Sequence, residues 1–500
     1  MSYETRLEQF KELIRKIEYY KYTQNSLIYW DKITNMPPAG IKYRSKVMSF
    51  MADEQYKLLS GREFTNHVKY FSGHKKNDEL TNAMLRRIVR NSQYISRIPE
   101  NEYVEYAGLI AKSEQVWEKA RAENDYESFK PYLKSIIDTF KKFAEYWGYE
   151  DDPYDAIMEY YEVGLNVKLV DELVSEMKPF LIETLARVSA REAGNKRTSQ
   201  TIFASEAEQK KIWNKLLDIL GFDFQAGRLD IGSHPTVLAN SPSDVRIVNS
   251  YKQDDIKAGI FNVLHSCGKA IYQQSIDDNL LGTFLAEAPS FAMEEGVGRL
   301  YENIIGRNHG TINYFFENYG AGDERASERD ADEIFRLFNL VNPSLIRINA
   351  DELTYMLHII IRYEIERELI NGRLDVDRLP EVWNRKYEDY LGITPDIDSN
   401  GVLQDIHWAA GYFGYFPAYF IANIISAQLM GAIERDCGSF NELTGSGEFR
   451  VIKEWLKENI FRYGAIYDTR ELVERATGKL LSSEDYISYL RQKMTEVYKL

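Results

Sequence analysis

A mainly α-helical protein with one small β-sheet is the fold class this sequence predicts. Three observations lead there. Apolar residues recur at helical spacing along most of the 500 residues. The 13 prolines are few for that length, and most fall between the periodic stretches. One zone, 227–252, breaks the pattern with Gly, Pro, Asn and Ser clusters around short β-prone runs.

The elements follow in order. Leu7, Phe10, Leu13, Ile14 and Ile17 form a stripe at 3, 3, 1 and 3 spacing on a first helix. Similar patterns predict helices over 83–95, 100–122, 126–147, 167–192, 205–220, 254–274 and 290–306. They continue over 324–340, 350–371, 376–390, 404–434, 448–463 and 482–498. Within 227–252 the strand candidate is 244–251, with Val245, Ile247 and Val248 as its apolar residues, and a small antiparallel sheet is expected. Residues 191–204 and 438–447 read as exposed loops. No repeat, low-complexity tract or interdomain linker is visible, so residues 1–500 are expected to form a single helical domain with a cleft.

Composition narrows the function classes. Acidic residues number 77 against 62 basic, a net charge of -15. This argues against a general nucleic-acid binder and against docking on anionic membranes, both of which need clustered Lys and Arg. Two cysteines, Cys267 and Cys437, do not make a disulfide framework and fit a reducing compartment. The N-terminus is charged and amphipathic with no apolar signal region, and no window approaches 18 uninterrupted apolar residues. A cytoplasmic location is expected.

Four segments carry residue types suited to chemistry. On the 254–274 helix, His265 and Lys269 share a face, with Ile260, Val263, Leu264, Cys267 and Ile271 filling the remainder. A lone His on such a helix is more often a satisfied core residue than a ligand. In 290–306, Glu295, Arg299 and Glu302 stand at 4 and 3 spacing, an ion-pair ladder that as a bare pattern is more often a surface feature than a site. Tyr355, His358, Arg362 and Glu366 form a polar stripe flanked by apolar residues, suited either to lining a wet cleft or to a half-exposed surface helix. The 401–423 segment is dense in aromatics and holds three glycines beside Gln404, Asp405 and His407, either a peptide-binding wall or core filler.

Taken together, these segments resemble the thermostable (Taq-type) zinc carboxypeptidase family. LIYWDKITNMPPAGIKYRS, VWEKARAENDYESFKPYL, DPYDAIMEYYEVG, GRLDIGSHP and DVRI occur in the family's order. Arg347, Ala350, Asp351 and Glu352 match its Ile-Arg-x-x-Ala-Asp-Glu motif, and GVLQDIHW and GYFP match its C-terminal motif. The resemblance implies a large helical, neurolysin-like peptidase fold. Two helical halves would surround one deep central groove, with the small sheet beside it, and the assembly would be a homodimer. It implies removal of C-terminal residues from peptides with one zinc or cobalt ion. It places substrate-binding positions at Arg347, Tyr355, His358, Gln404, Asp405, His407 and Tyr415, with His234 and Arg246 in two altered motifs.

The sequence departs from the family where that metal sits. His-Glu-x-x-His reads His265-Ser266-Cys267-Gly268-Lys269. By the resemblance, His265 and Glu295 keep two ligand positions, Ser266 stands in place of the general base, and Lys269 in place of the second His. Glu294 replaces the His that precedes Glu295. Loss of a general base costs roughly 100- to 10,000-fold in rate, and an ammonium has no lone pair for a metal. Lys269 is expected to replace the metal's charge, within about 6 Å of Glu294 and Glu295. The favoured reading is an inactive pseudo-peptidase that binds peptide C-termini and uses no cofactor. One alternative is an active carboxypeptidase with His265, Glu294 and Glu295 as rebuilt ligands for zinc or cobalt. The other is a purely structural homodimer.

Overall fold

The computed structural model describes residues 2–193, 204–232, 235–251, 256–319 and 330–500. The chain forms two compact units. The first comprises residues 1–91, 199–335 and 429–479, and the second 92–198, 336–428 and 480–500.

The first unit holds the sheet. Strands β1 (Gly227–Ile231), β2 (Thr236–Ser241) and β3 (Asp244–Asn249) lie in the order β1-β3-β2. β2 runs antiparallel to β3, but β1 pairs with β3 in parallel, Gly227 opposite Val245. The sheet is therefore mixed, not antiparallel as expected. A period-2 pattern marks strands without giving their direction. Val245, Ile247 and Val248 are fully buried, and β3 packs against the Ile256–Gln274 helix, where Asn249 donates to Gly259 O at 3.0 Å.

That helix also packs on Phe291–Arg299. Ser290 caps the latter by accepting from Met293 N at 3.2 Å. The helix then widens into a π-type turn over Leu300–Ile305, closed by Gly306 N on Tyr301 O at 2.9 Å. The two helices meet closely because Gly268 has no side chain: a Cβ there would lie 2.7 Å from Val297 O.

The second unit is organised on Glu352–Ile370, which packs against Tyr126–Trp147, Pro153–Tyr161, Val167–Glu192 and Leu379–Leu391. Asp351 caps it by accepting from Thr354 N. Tyr355, His358, Arg362 and Glu366 are all buried, so this stripe is neither a half-exposed face nor a solvated wall.

Two expected elements differ. Residues 404–434 are helical only from Phe416, in Phe416–Cys437. Gly411 and Gly414 adopt φ of 75° and 78°, left-handed values that turn the chain before the helix starts. Conversely 438–447, expected as a loop, contains the Phe440–Gly445 helix, capped by Ser439. Among the described residues Phe416–Cys437 alone is long and apolar enough to cross a membrane, but 83% of its apolar window is buried in the protein. The loop expected at 191–204 and the helix at 324–340 fall partly outside the described residues, which resume at 204 and 330.

Candidate functional site

In the first unit, His265, Lys269, Glu294 and Glu295 come together on the facing helices. Lys269 Nζ lies 3.6 Å from Glu294 Oε2 and 3.6 Å from Glu295 Oε2. His265 Nε2 lies 3.2 Å from Glu295 Oε2, and its Nδ1 3.1 Å from Glu302 Oε2. Arg299 spans both carboxylates, donating to Glu295 and Glu302 at 3.2 Å each. Arg307 donates to Glu302 Oε1 at 3.1 Å and lies 3.8 Å over the Phe261 ring. Gln273 donates to Glu294 Oε1 at 3.0 Å. The His265 ring lies against the backbone of Gly298, where a Cβ would fall 2.6 Å from its Cε1. Ser266 is buried one residue away.

Electrostatics make this a self-neutralising lattice. Burial pushes Glu302 up, but Arg299, His265 and Arg307 outweigh it and bring its carboxyl down to about 2. Burial likewise opposes the charge on Glu295, and His265, Lys269 and Arg299 hold it well below the usual carboxylate range. Burial lowers Lys269, but Glu294 and Glu295 more than restore its charge. His265 is raised in the same way, burial being overcome by Glu295 and Glu302.

As metal donors, His265 Nε2 and Glu295 Oε2 are well placed. Lying 3.2 Å apart, they are an imidazole and a carboxylate of the types that would hold a zinc ion. Glu302 on Nδ1 is the kind of outer carboxylate that orients a ligating imidazole. Among the described residues, however, no group of three or more His, Cys, Asp or Glu side chains is placed to hold a metal ion.

In the second unit, Arg347, Tyr355, His358, Gln404 and Asp405 come together. Asp405 accepts from Arg347 Nε and Nη2 at 3.1 Å each, and from Arg362 Nε and Nη2 at 2.9 and 2.5 Å. Gln404 Oε1 accepts from Arg347 N and Arg362 Nη2, both at 2.9 Å. Tyr355 Oη is 3.5 Å from Arg347 Nη1, and His358 Nδ1 is 3.0 Å from Tyr387 Oη. Arg347 lies 5.5 Å over Phe416 and 5.7 Å over Tyr419. His407 stacks on Tyr415 at 5.8 Å. Burial would raise Asp405, but Arg362 and Arg347 hold it well below the carboxylate range. Burial takes His407 down to about 4, with Asp405 opposing and the two arginines assisting. His358 is depressed by burial and the same arginines. Both imidazoles are thus neutral near pH 7, and two guanidinium groups share a single carboxylate.

Arg246 belongs to neither set. On β3 it forks onto Asp244 at 2.8 and 2.9 Å, with Tyr22 and Asn240 donating to the same carboxylate. His234 lies outside the described residues. Sequence reasoning did not single out Arg307, Gln273, Gly298 or Tyr387. Gln273, Gly298 and Tyr387 act through partners distant in sequence, and Arg307 meets Glu302 at a spacing of five that falls outside the helical i+3 and i+4 pattern. The Glu295, Arg299, Glu302 spacing and the Tyr355 to Glu366 stripe were the visible traces of the two sets.

Against known proteins, the profile described as Carboxypeptidase Taq (M32) metallopeptidase matches residues 9–494. The chain belongs to this family of metallocarboxypeptidases. It is 36% identical to Carboxypeptidase 1 of Bacillus subtilis, covering 100% of both chains. It is 33% identical to Thermostable carboxypeptidase 1 of Pyrococcus furiosus, covering 94% of each. The crystal structure of the M32 carboxypeptidase from Deinococcus radiodurans superposes with a TM-score of 0.95 at 30% identity, over 99% of this chain and 100% of that one.

Proposed function

We propose that this metallocarboxypeptidase-family member is a pseudo-peptidase that binds the C-terminal carboxylate of peptides without hydrolysing them. The observation that carries this reading is the Lys269 ammonium, 3.6 Å from both Glu294 and Glu295. The donor set does not fit a catalytic divalent ion. Two donors converge, but the third position holds an ammonium without a lone pair. Three carboxylates already face Lys269, Arg299 and Arg307. A divalent ion would add charge to a balanced set. Ser266 cannot accept a proton from water near neutral pH, so the general base is missing as well.

Peptide binding is supported by the other set. Arg347 and Arg362 share Asp405, which leaves one positive charge over among buried groups. A peptide's terminal carboxylate would neutralise it, and a guanidinium suits that planar anion.

The test uses full-length protein purified without chelator. Expected results are substoichiometric metal, no release of C-terminal residues with added zinc or cobalt, and calorimetric binding of N-acetyl-trialanine in preference to its C-terminal amide. Tightly bound stoichiometric metal together with residue release would overturn the proposal in favour of an enzyme using His265, Glu294 and Glu295. Equal or absent binding of acid and amide would leave only the structural reading.

A further inference from the structure

Glu366 ends the buried stripe on Glu352–Ile370 and is fully enclosed. Its carboxylate accepts three hydrogen bonds from neutral donors. Trp408 Nε1 donates to Oε1 at 2.7 Å. Gly414 N and Tyr154 Oη donate to Oε2 at 2.7 and 2.6 Å. Trp408 and Gly414 are the two ends of the turn that follows Gln404, Asp405 and His407. Inside the turn, Tyr412 N donates to His407 O at 2.8 Å, and Trp408 stacks on Phe413. Gly414, at φ 78°, packs where a Cβ would fall 2.7 Å from Ile157 Cγ2.

We propose that Glu366 is a positioning residue: its two oxygens tie the two ends of the 408–414 turn, and so hold Asp405 and His407 in place beside Arg347. The idea rests on the peptide-carboxylate reading of that cluster. A carboxyl group is required because the two N–H donors of the turn lie on different oxygens, and each oxygen of a carboxyl, charged or neutral, can accept. A glutamine offers one acceptor oxygen and one NH2 group. Whichever way its amide turns, the NH2 faces either Trp408 Nε1–H or Gly414 N–H, and one end of the turn loses its acceptor. Tyr154 differs. Its hydroxyl can accept as well as donate, and it belongs to Pro153–Tyr161, outside the turn.

Glu366→Gln and Tyr154→Phe are compared with the wild-type chain, with thermal melts to establish folding. Two quantities are read: calorimetric affinity for N-acetyl-trialanine, and the indole N–H resonance of Trp408 in protein labelled at its 7 tryptophans. Glu366→Gln is expected to move the Trp408 resonance and weaken binding about tenfold, the effect of one orphaned buried donor. Tyr154→Phe is expected to lower the melting temperature and leave both readings in place. An unmoved resonance in Glu366→Gln, or equal changes in the two variants, overturns the proposal. If the wild type itself fails to bind the probe, the peptide reading falls, and the resonance comparison still decides for or against Glu366. Should Glu366→Gln not fold, Trp408→Phe cuts one tether from the other side. It should weaken binding by the same factor, and unchanged binding would overturn the proposal.

Discussion

Lys269 holds its ammonium 3.6 Å from Glu295 Oε2, the oxygen that His265 Nε2 also approaches, at 3.2 Å. One carboxylate oxygen thus sits between a fixed organic cation and an imidazole. Lys269→Met should leave the carboxylates short of one cation and destabilise the protein by about 2 kcal/mol, below the value for a fully buried pair because Glu294 is partly exposed. Urea unfolding at pH 7 measures this, and a change below the error of the method would mean that Arg299 and His265 suffice.

The two close-approach glycines should resist substitution unequally. A Cβ at Gly268 meets the backbone carbonyl of Val297, whereas one at Gly298 meets the His265 ring. Each should cost about 1–3 kcal/mol. Gly268→Ala should be the worse, because backbone yields less than a side chain. Thermal melts of the two single variants give the order.

Placing Glu at position 266 and His at position 269 tests how far the surroundings of His265 and Glu295 support a metal site. Ser266→Glu with Lys269→His supplies a base and a third donor beside His265 and Glu295. The double variant should bind one cobalt ion per chain, seen in its visible spectrum, where the wild type binds none. Metal binding without release of C-terminal residues would point to the two altered motifs that hold His234 and Arg246.

The acid limb of stability should depend on Asp405. Its folded pKa is depressed, so the stability it contributes is present above the ordinary aspartate range and is lost as pH falls through that range toward the folded value. Asp405→Asn should therefore be less stable at pH 7 and flatter below about pH 4. Glu366 works in the opposite sense. Burial is the main cause that raises its carboxyl, to about 7, against the pull of its three hydrogen bonds and Arg362. The native state then holds the proton more tightly than the unfolded chain, so stability falls as pH rises from about 4.5 to about 7, by about 3 kcal/mol at most. Denaturant midpoints across pH 3–8 for the wild type, Asp405→Asn and Glu366→Gln separate the two slopes.

Helical periodicity made most of the fold legible. The Tyr126–Trp147 and Val167–Glu192 helices begin and end where the apolar stripes do. Strand direction was not legible, since nothing in the residue types of β1 or β2 says that one runs parallel and the other antiparallel to β3. The 404–415 segment was misread because its aromatic density imitates a helix face, whereas the left-handed glycines decide its path. In the site, the proximity of Lys269 to Glu294 and Glu295 followed from aligning known motifs. The burial of Arg362 and Glu366 did not, because a 3, 4, 4 stripe looks the same whether it faces water or a ring of protein donors.

The Phe416–Cys437 helix has a consequence for how the chain is made. Its apolar surface emerges from the ribosome ahead of Leu480, whose carbonyl receives Gln428 at 2.9 Å. Until then this stretch stands bare, as greasy as a membrane anchor. It is the natural landing place for a holding chaperone and the segment from which aggregates of unfinished chains would start.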